Sequence, residues 1–257
     1  MVRKAKTKTQ AQTLKKITYI EDGRRRIISE PPLLVPFREL LNEEEKEQLS
    51  PEKIREDWGE YVASLPPDRR RLIDRYRPVD MALRVGGVGS VGTICAIMIL
   101  QGGSEDDAII LQQKEAGESV LETYLGQSEH INPAQRVVEG QRLMQASSDI
   151  FLGWHQGSLT DIHYYWRQLK DMKGSVDASA LDEDGFKTYV AVCAVCLARA
   201  HARAGDAAAI SGYMGKCKSL GKAIADFAVA YADQTEGDHQ ALVDVVKSGR
   251  VQAQSGI

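Results

Sequence analysis

The chain has 257 residues, of which 43% are hydrophobic and 27% charged, with a formal net charge of −3. That composition fits a soluble globular protein with room for one large domain or two small ones. No apolar run reaches the roughly 18–20 residues that cross a bilayer, and four cysteines give no disulfide framework at this length.

Met1–Lys16 is basic but lacks the apolar stretch of a signal peptide. A cytoplasmic location without a membrane partner is therefore expected. Residues 1–26 carry nine Lys and Arg against two acids, leaving 24 basic and 34 acidic residues in the remainder. Only Tyr19 interleaves this basic arm, so it reads as a solvated, frayed terminus and not as a grip on nucleic acid.

In chain order, residues 1–16 read as disordered. Ile17–Ser29 reads as a hairpin about the turn Glu21-Asp22-Gly23. Pro31, Pro32 and Pro36 then break the chain. Ser50-Pro51-Glu52 opens a helix towards Ser64, and Pro66-Pro67-Asp68 opens a second carrying Leu72, Ile73 and Tyr76. Met81–Val85, Thr93–Leu100 and Ala108–Lys114 read as strands. Asn132-Pro133 caps a helix running to about Ser147, and Asp149–Trp154 and Ile162–Leu169 are short strand candidates. Glu183–Ala204, Leu220–Gln234 and His239–Ser248 read as helices. Cys193 and Cys196 form a lone CxxC in the first of these, where small buried residues at helical spacing are the plainer account.

Gly87-Val88-Gly89-Ser90-Val91-Gly92 fits G-x-G-x-x-G. By itself this is weak, since glycines gather in turns for conformational reasons, and a β-meander with a glycine-rich turn would look the same. Context separates two nucleotide-binding uses of the spacing. A dinucleotide-binding unit needs a helix directly after the loop. Here Thr-Ile-Cys-Ala-Ile-Met-Ile-Leu follows, which reads as strand and disfavours a nicotinamide oxidoreductase. A kinase loop is a hairpin laid over the phosphates, with a lysine on the next strand and a glutamate on the following helix. Lys114 and Glu139 occupy those places in the order.

The expected fold class is thus α+β: a kinase-like N-lobe sheet, with glycine-loop hairpin, lysine strand and one packed helix, followed by a helical block. The expected divisions are a basic arm over 1–16, a hairpin and helical lead-in over 17–78, a nucleotide-binding sheet lobe over 79–175 and a helical lobe over 176–257. ATP and Mg2+ are the expected cofactors. Gly87, Val88, Gly89, Ser90 and Gly92 would cover the phosphates, Lys114 would hold them, and Glu139 would orient Lys114. Gln168 and Leu169, at the hinge-like stretch Arg167–Met172, would meet the adenine. No catalytic residue and no metal ligand is assigned. No His-Arg-Asp-x-x-x-x-Asn, Gly-Asp-x-His-x-x-Asn or Asp-Phe-Gly stands downstream, and His201 reads as a structural histidine.

Several longer stretches resemble one bacterial family, domain of unknown function 2252. They are Gly87–Thr93, Gln113–Ala116, Gly140–Gln145, Ser148–Trp154, Arg167–Ser175, Leu197–Asp206 and Tyr231–Gln234. Leu197–Ala202 is also similar to the helix before the catalytic loop of aminoglycoside-phosphotransferase-like kinases. Ile94 and Gln113 depart from the family pattern, which favours a basic and a β-branched residue there. The resemblance implies relatives nearly twice as long, with a Gly-Asp-x-His-x-x-Asn-like loop in an N-terminal half. This chain would then be a C-terminal portion, partnered by that missing half or by another chain. The implied function is an ATP-dependent phosphotransferase fragment without its catalytic loop; the alternative is a non-catalytic, pseudokinase-like binding or regulatory module.

Overall fold

The computed structural model of the chain describes residues 9–48, 50–87, 92–169 and 174–253. The chain divides into two units, Met1–Ala200 and His201–Ile257.

The first unit departs from expectation at its start. The basic arm is not disordered to residue 16, because Gln10–Ile17 is a helix, α1. Thr9 caps it by accepting from the Gln12 N–H, and Leu14 is buried. The buried Gln10 amide donates to the carbonyls of Ile110 and Leu169 at 3.1 and 2.9 Å. One leucine and one glutamine anchor this helix, too few apolar residues for its period to show in a lysine-rich run.

The expected hairpin follows as β1 (Thr18–Glu21) and β2 (Arg24–Ile27). Asp22 and Gly23 both have positive φ, 49° and 71°, the two-residue turn whose twist matches the flanking strands. Next come β3 (Leu34–Pro36), α2 (Phe37–Leu40), α3 (Glu43–Gln48), α4 (Pro51–Ser64) and α5 (Pro67–Ile73). The Ser50 hydroxyl caps α4, accepting from Lys53 N–H at 3.4 Å.

β4 (Arg77–Arg84), β5 (Cys95–Gln101) and β6 (Ala108–Glu115) lead to α6 (Glu122–Leu125) and α7 (Pro133–Met144), then β7 (Gly153–Gln156) and β8 (His163–Gln168). Asn132 caps α7 by accepting from the N–H groups of Ala134 and Gln135. The strands β3 to β8 form one antiparallel sheet in the order β3-β4-β5-β6-β8-β7. β7 starts later than Asp149. The Asp149 carboxylate accepts from Phe151 and Gln168 N–H at 2.9 Å each, which folds residues 149–152 into a turn held to the end of β8.

Side chains alternate between two covered faces. On one, Ala82, Ile97, Ile99 and Ile110 pack with Leu14, Ile27, Leu34 and Leu169. On the other, Met98, Leu100, Leu111 and Trp166 pack with Tyr61, Leu65 and Ile73 from α4 and α5. Cys95 to Leu100 are all buried. α4 runs along β7, where Ser64 Oγ, Glu60 Oε2 and Asp57 Oδ1 accept from the N–H groups of Trp154, Gln156 and Ser158 at 2.9–3.1 Å.

After a register shift between Pro78 and Asp80, the Asp80 carboxylate turns into the first face with only 7% of its side chain exposed. It accepts from Ile27 N–H at 2.7 Å and from Arg38 Nη1 at 2.6 Å, while Arg38 Nη2 donates to Ile27 O. This pair fastens β2 and α2 to β4.

Beyond Gly174 the chain is helical: α8 (Glu183–Ala204), α9 (Ala207–Met214) and α10 (Lys218–Lys247). α9 begins directly after Gly205 and Asp206. Asp206 caps it through the N–H groups of Ala208 and Ala209, and a run of alanines then favours helix. α10 joins the two expected helices into one of 30 residues across Gly237, bridged by the Gln234–Asp238 side-chain bond. None of the three has a buried residue.

Two stability predictions follow from buried polar groups. Asp80→Ala leaves Arg38 Nη1 and Ile27 N–H without their acceptor, and should cost about 3 kcal/mol in urea unfolding. His155 is buried, accepts from Trp166 Nε1 at 2.8 Å through Nδ1 and stacks on Tyr164. Burial lowers its pKa from 6.5 to about 4, with Asp57 opposing. The neutral form is the folded form, so its contribution is full above about pH 6.5 and is lost as pH falls towards 4. Between pH 7.5 and 5 the chain should lose about 2 kcal/mol, and His155→Gln should remove that part of the pH dependence.

Candidate functional site

The glycine motif lies between β4 and β5. Gly87 and Gly92 have φ of 126° and 82°, which a side chain would strain. Val88, Gly89 and Ser90 lie outside the described residues. The segment joins two antiparallel strands, so the element that follows it is a strand and not the helix of a dinucleotide fold.

Lys114 ends the next strand. It pairs across to Cys95 on β5 and to Tyr165 on β8, and Tyr165 pairs with Trp154 on β7. Alternation puts these four side chains in one row, on the face that Ile97 and Ile110 share. The Arg142 guanidinium of α7 sits 5.6 Å from the centroid of the Trp154 ring, at the end of the row.

Glu139 is one turn from Arg142 and bonds to it at 2.9 Å. Among the described residues Lys114 makes no ion pair, with Glu139 or with any other acid. Arg142 also donates through Nη2 to Leu152 O at 2.6 Å and Ser64 O at 3.4 Å. It thereby ties α7 to the end of α4 and to the turn before β7.

At the hinge-like end the backbone groups are already engaged. Gln168 N–H donates to Asp149, Leu169 N–H donates to Ile110 O at 2.9 Å, and Leu169 O accepts from Gln10. Lys170, which continues that stretch, lies outside the described residues. On the same face Leu14, Ile27 and Leu34 cover Ile97, Ile99 and Ile110, so its apolar half is filled by the chain's own lead-in.

Sequence reasoning passed over two side chains. Arg167 lies two residues beyond Tyr165, hence on the same face, opposite Gln112. Arg84 follows the last β4–β5 pair, Leu83–Ala96, and alternates onto that face with Ala82. Both are half-buried, as is Lys114. Counting by two along the paired strands from Lys114 finds them, whereas a motif template names the lysine alone. Burial raises the pKa of Tyr165, with the charge of Arg167 opposing and the Cys95 thiol adding. The phenol therefore keeps its proton at neutral pH.

Elsewhere, Cys193 and Cys196 are exposed, not buried as their helical spacing suggests. Among the described residues no three His, Cys, Asp or Glu side chains group to hold a metal. A cavity of about 240 Å³ is lined by Asp68, Arg69, Arg142 and Asp149, but the last two are committed to the bonds that shape the fold. Arg142→Met should therefore cost about 2–3 kcal/mol in chemical denaturation by orphaning Leu152 O and Glu139. Glu139→Gln, on a partly exposed pair, should cost under about 1 kcal/mol.

No helix among the described residues is long and apolar enough to cross a membrane. No curated protein and no solved structure matches the chain. Residues 1–245 match a family of uncharacterised proteins conserved in bacteria, DUF2252. The match takes in the lead-in, the sheet with its lysine row and nearly all of the helical region, and the chain belongs to this family.

Proposed function

We propose that the sheet body is a kinase-like nucleotide-binding unit, the phosphate-holding part of an ATP-dependent phosphotransferase. One observation carries the reading: the glycine turn joins β4 to β5, and β6 with Lys114 lies directly beside β5. α7 then precedes the last two strands, and β8 lies beside β6. These are the parts, in the order, that a kinase glycine loop works with. The cationic face suits phosphate. Magnesium fits less well, because Asp80 is the one carboxylate that the described strands turn to that face, and Arg38 and Ile27 already hold it. The lysine–glutamate pair that an active kinase needs is replaced by Glu139–Arg142. This chain by itself accordingly binds and does not transfer.

The experiment is a thermal-shift titration with ATP, with and without Mg2+, beside Lys114→Ala. A stabilisation that saturates and that the variant loses is the expected outcome; no shift under either condition would overturn the reading.

A second reading, a pseudokinase-like module that docks a partner, is favoured by exposed apolar side chains. Val120, Tyr124, Leu125 and Ile131 stand out between β6 and α7, and Phe186, Leu197, Ile224 and Phe227 stand out on the helices.

A further inference from the structure

We infer that Arg84, Lys114 and Arg167 form one oligophosphate cradle that reads its ligand's phosphate charge and not its base. This rests on the nucleotide-binding reading above and narrows it. The three cations share one face of the sheet. Lys114 and Arg167 are diagonal neighbours across β6 and β8, about 7–8 Å apart at Cα. Arg84 lies two strands from Lys114, with Cys95 between them, at about 10 Å. Arg84 and Lys114 lie level with Cys95, where β5 leaves the glycine segment, and Arg167 lies one same-face step deeper, level with Gln112 and Ile97.

The clustering has no internal explanation. Among the described residues none of the three donates a side-chain hydrogen bond or meets a carboxylate, although each is half-buried. Other partly buried arginines of the sheet body do have partners: Arg38 has Asp80 and Arg142 has Glu139. Three like charges gathered without a counter-ion repel one another, and a multivalent anion relieves that repulsion. Arg84 and Arg167 can offer forked N–H donors to phosphate oxygens, and Lys114 a point charge. The protonated Tyr165 phenol sits in the same row as a neutral donor.

The base is excluded by what covers the rest of the face. Leu14, Ile27 and Leu34 close over Ile97, Ile99 and Ile110, where a flat ring would have to slide in. The backbone groups of Gln168 and Leu169 that would recognise a ring edge are bonded to Asp149, Ile110 and Gln10. The ligand class is therefore one carrying two or more linked phosphates, with the nucleoside left outside the cradle.

The test is calorimetric titration of the full chain with inorganic tripolyphosphate, ATP, GTP and adenosine in the presence of a chelator, repeated with Arg84→Gln and Arg167→Gln. Tripolyphosphate, ATP and GTP should bind within about threefold of one another and adenosine not at all. Each arginine variant should weaken all three anions by about tenfold or more. The ligand-free melting temperature should not fall, since neither side chain has a hydrogen-bond or ion-pair partner among the described residues and each removal relieves like-charge repulsion. ATP binding that Lys114→Ala abolishes but both arginine variants leave intact would overturn the cradle and spare the nucleotide reading. Competition by adenosine would do the same. Failure of every anion to bind would overturn both.

Discussion

β5 has no solvent side. Its run Cys-Ala-Ile-Met-Ile-Leu is buried on both faces, and a strand like that exists only between two layers of cover. Each of its larger side chains contributes about 1.5–3 kcal/mol once covered, so the cover is as much a part of the strand as its hydrogen bonds. α4 and α5 supply it on one face with the tilted aromatic cluster of Trp58, Tyr61 and Trp166. α1 and the β1–β2 hairpin supply it on the other. This second layer is shorter. It spans the Ile97–Ile110 end, and beside α7 it leaves Lys114, Tyr165 and Trp154 half-buried around the buried Cys95, so the candidate site is the less covered remainder of that face.

Most of the sheet was legible because its punctuation is local. Asp22-Gly23, Ser50-Pro51 and Asn132-Pro133 each fix a turn or a helix start by their own conformational preferences. Elements held by a few distant contacts were not legible. α1 depends on Gln10 reaching carbonyls a hundred and more residues away, which no periodicity can announce. The turn at Asp149 looked like strand because Ile, Phe and Leu favour strands, while one carboxylate binding two N–H groups decided otherwise.

The site was legible to the same degree. Motif spacing named Lys114 and Glu139, but it could not tell which cation Glu139 would meet. Arg142, three residues away on the same helix, reaches it at 2.9 Å. Gln168 and Leu169 were named for a hinge-like position, yet their amides serve the turn at Asp149 and the β6 carbonyl. Arg84 and Arg167 became visible only through register, since a pairing scheme, and not a residue pattern, puts them with Lys114.

The α4 side chains along β7 have an effect beyond the core. β7 is the last strand on its side, and a strand in that position ordinarily offers its free N–H groups to any passing chain. Ser64 and Glu60 take two of them in alternation, Asp57 takes the Ser158 N–H just past the strand, and α4 lies where an added strand would go. At the opposite border β3 is three residues long and ends in Pro36. The sheet is thus closed to growth by strand addition at both borders, one by a helix that imitates a neighbouring strand and the other by brevity and a proline. Self-association by strand addition at these two borders is opposed.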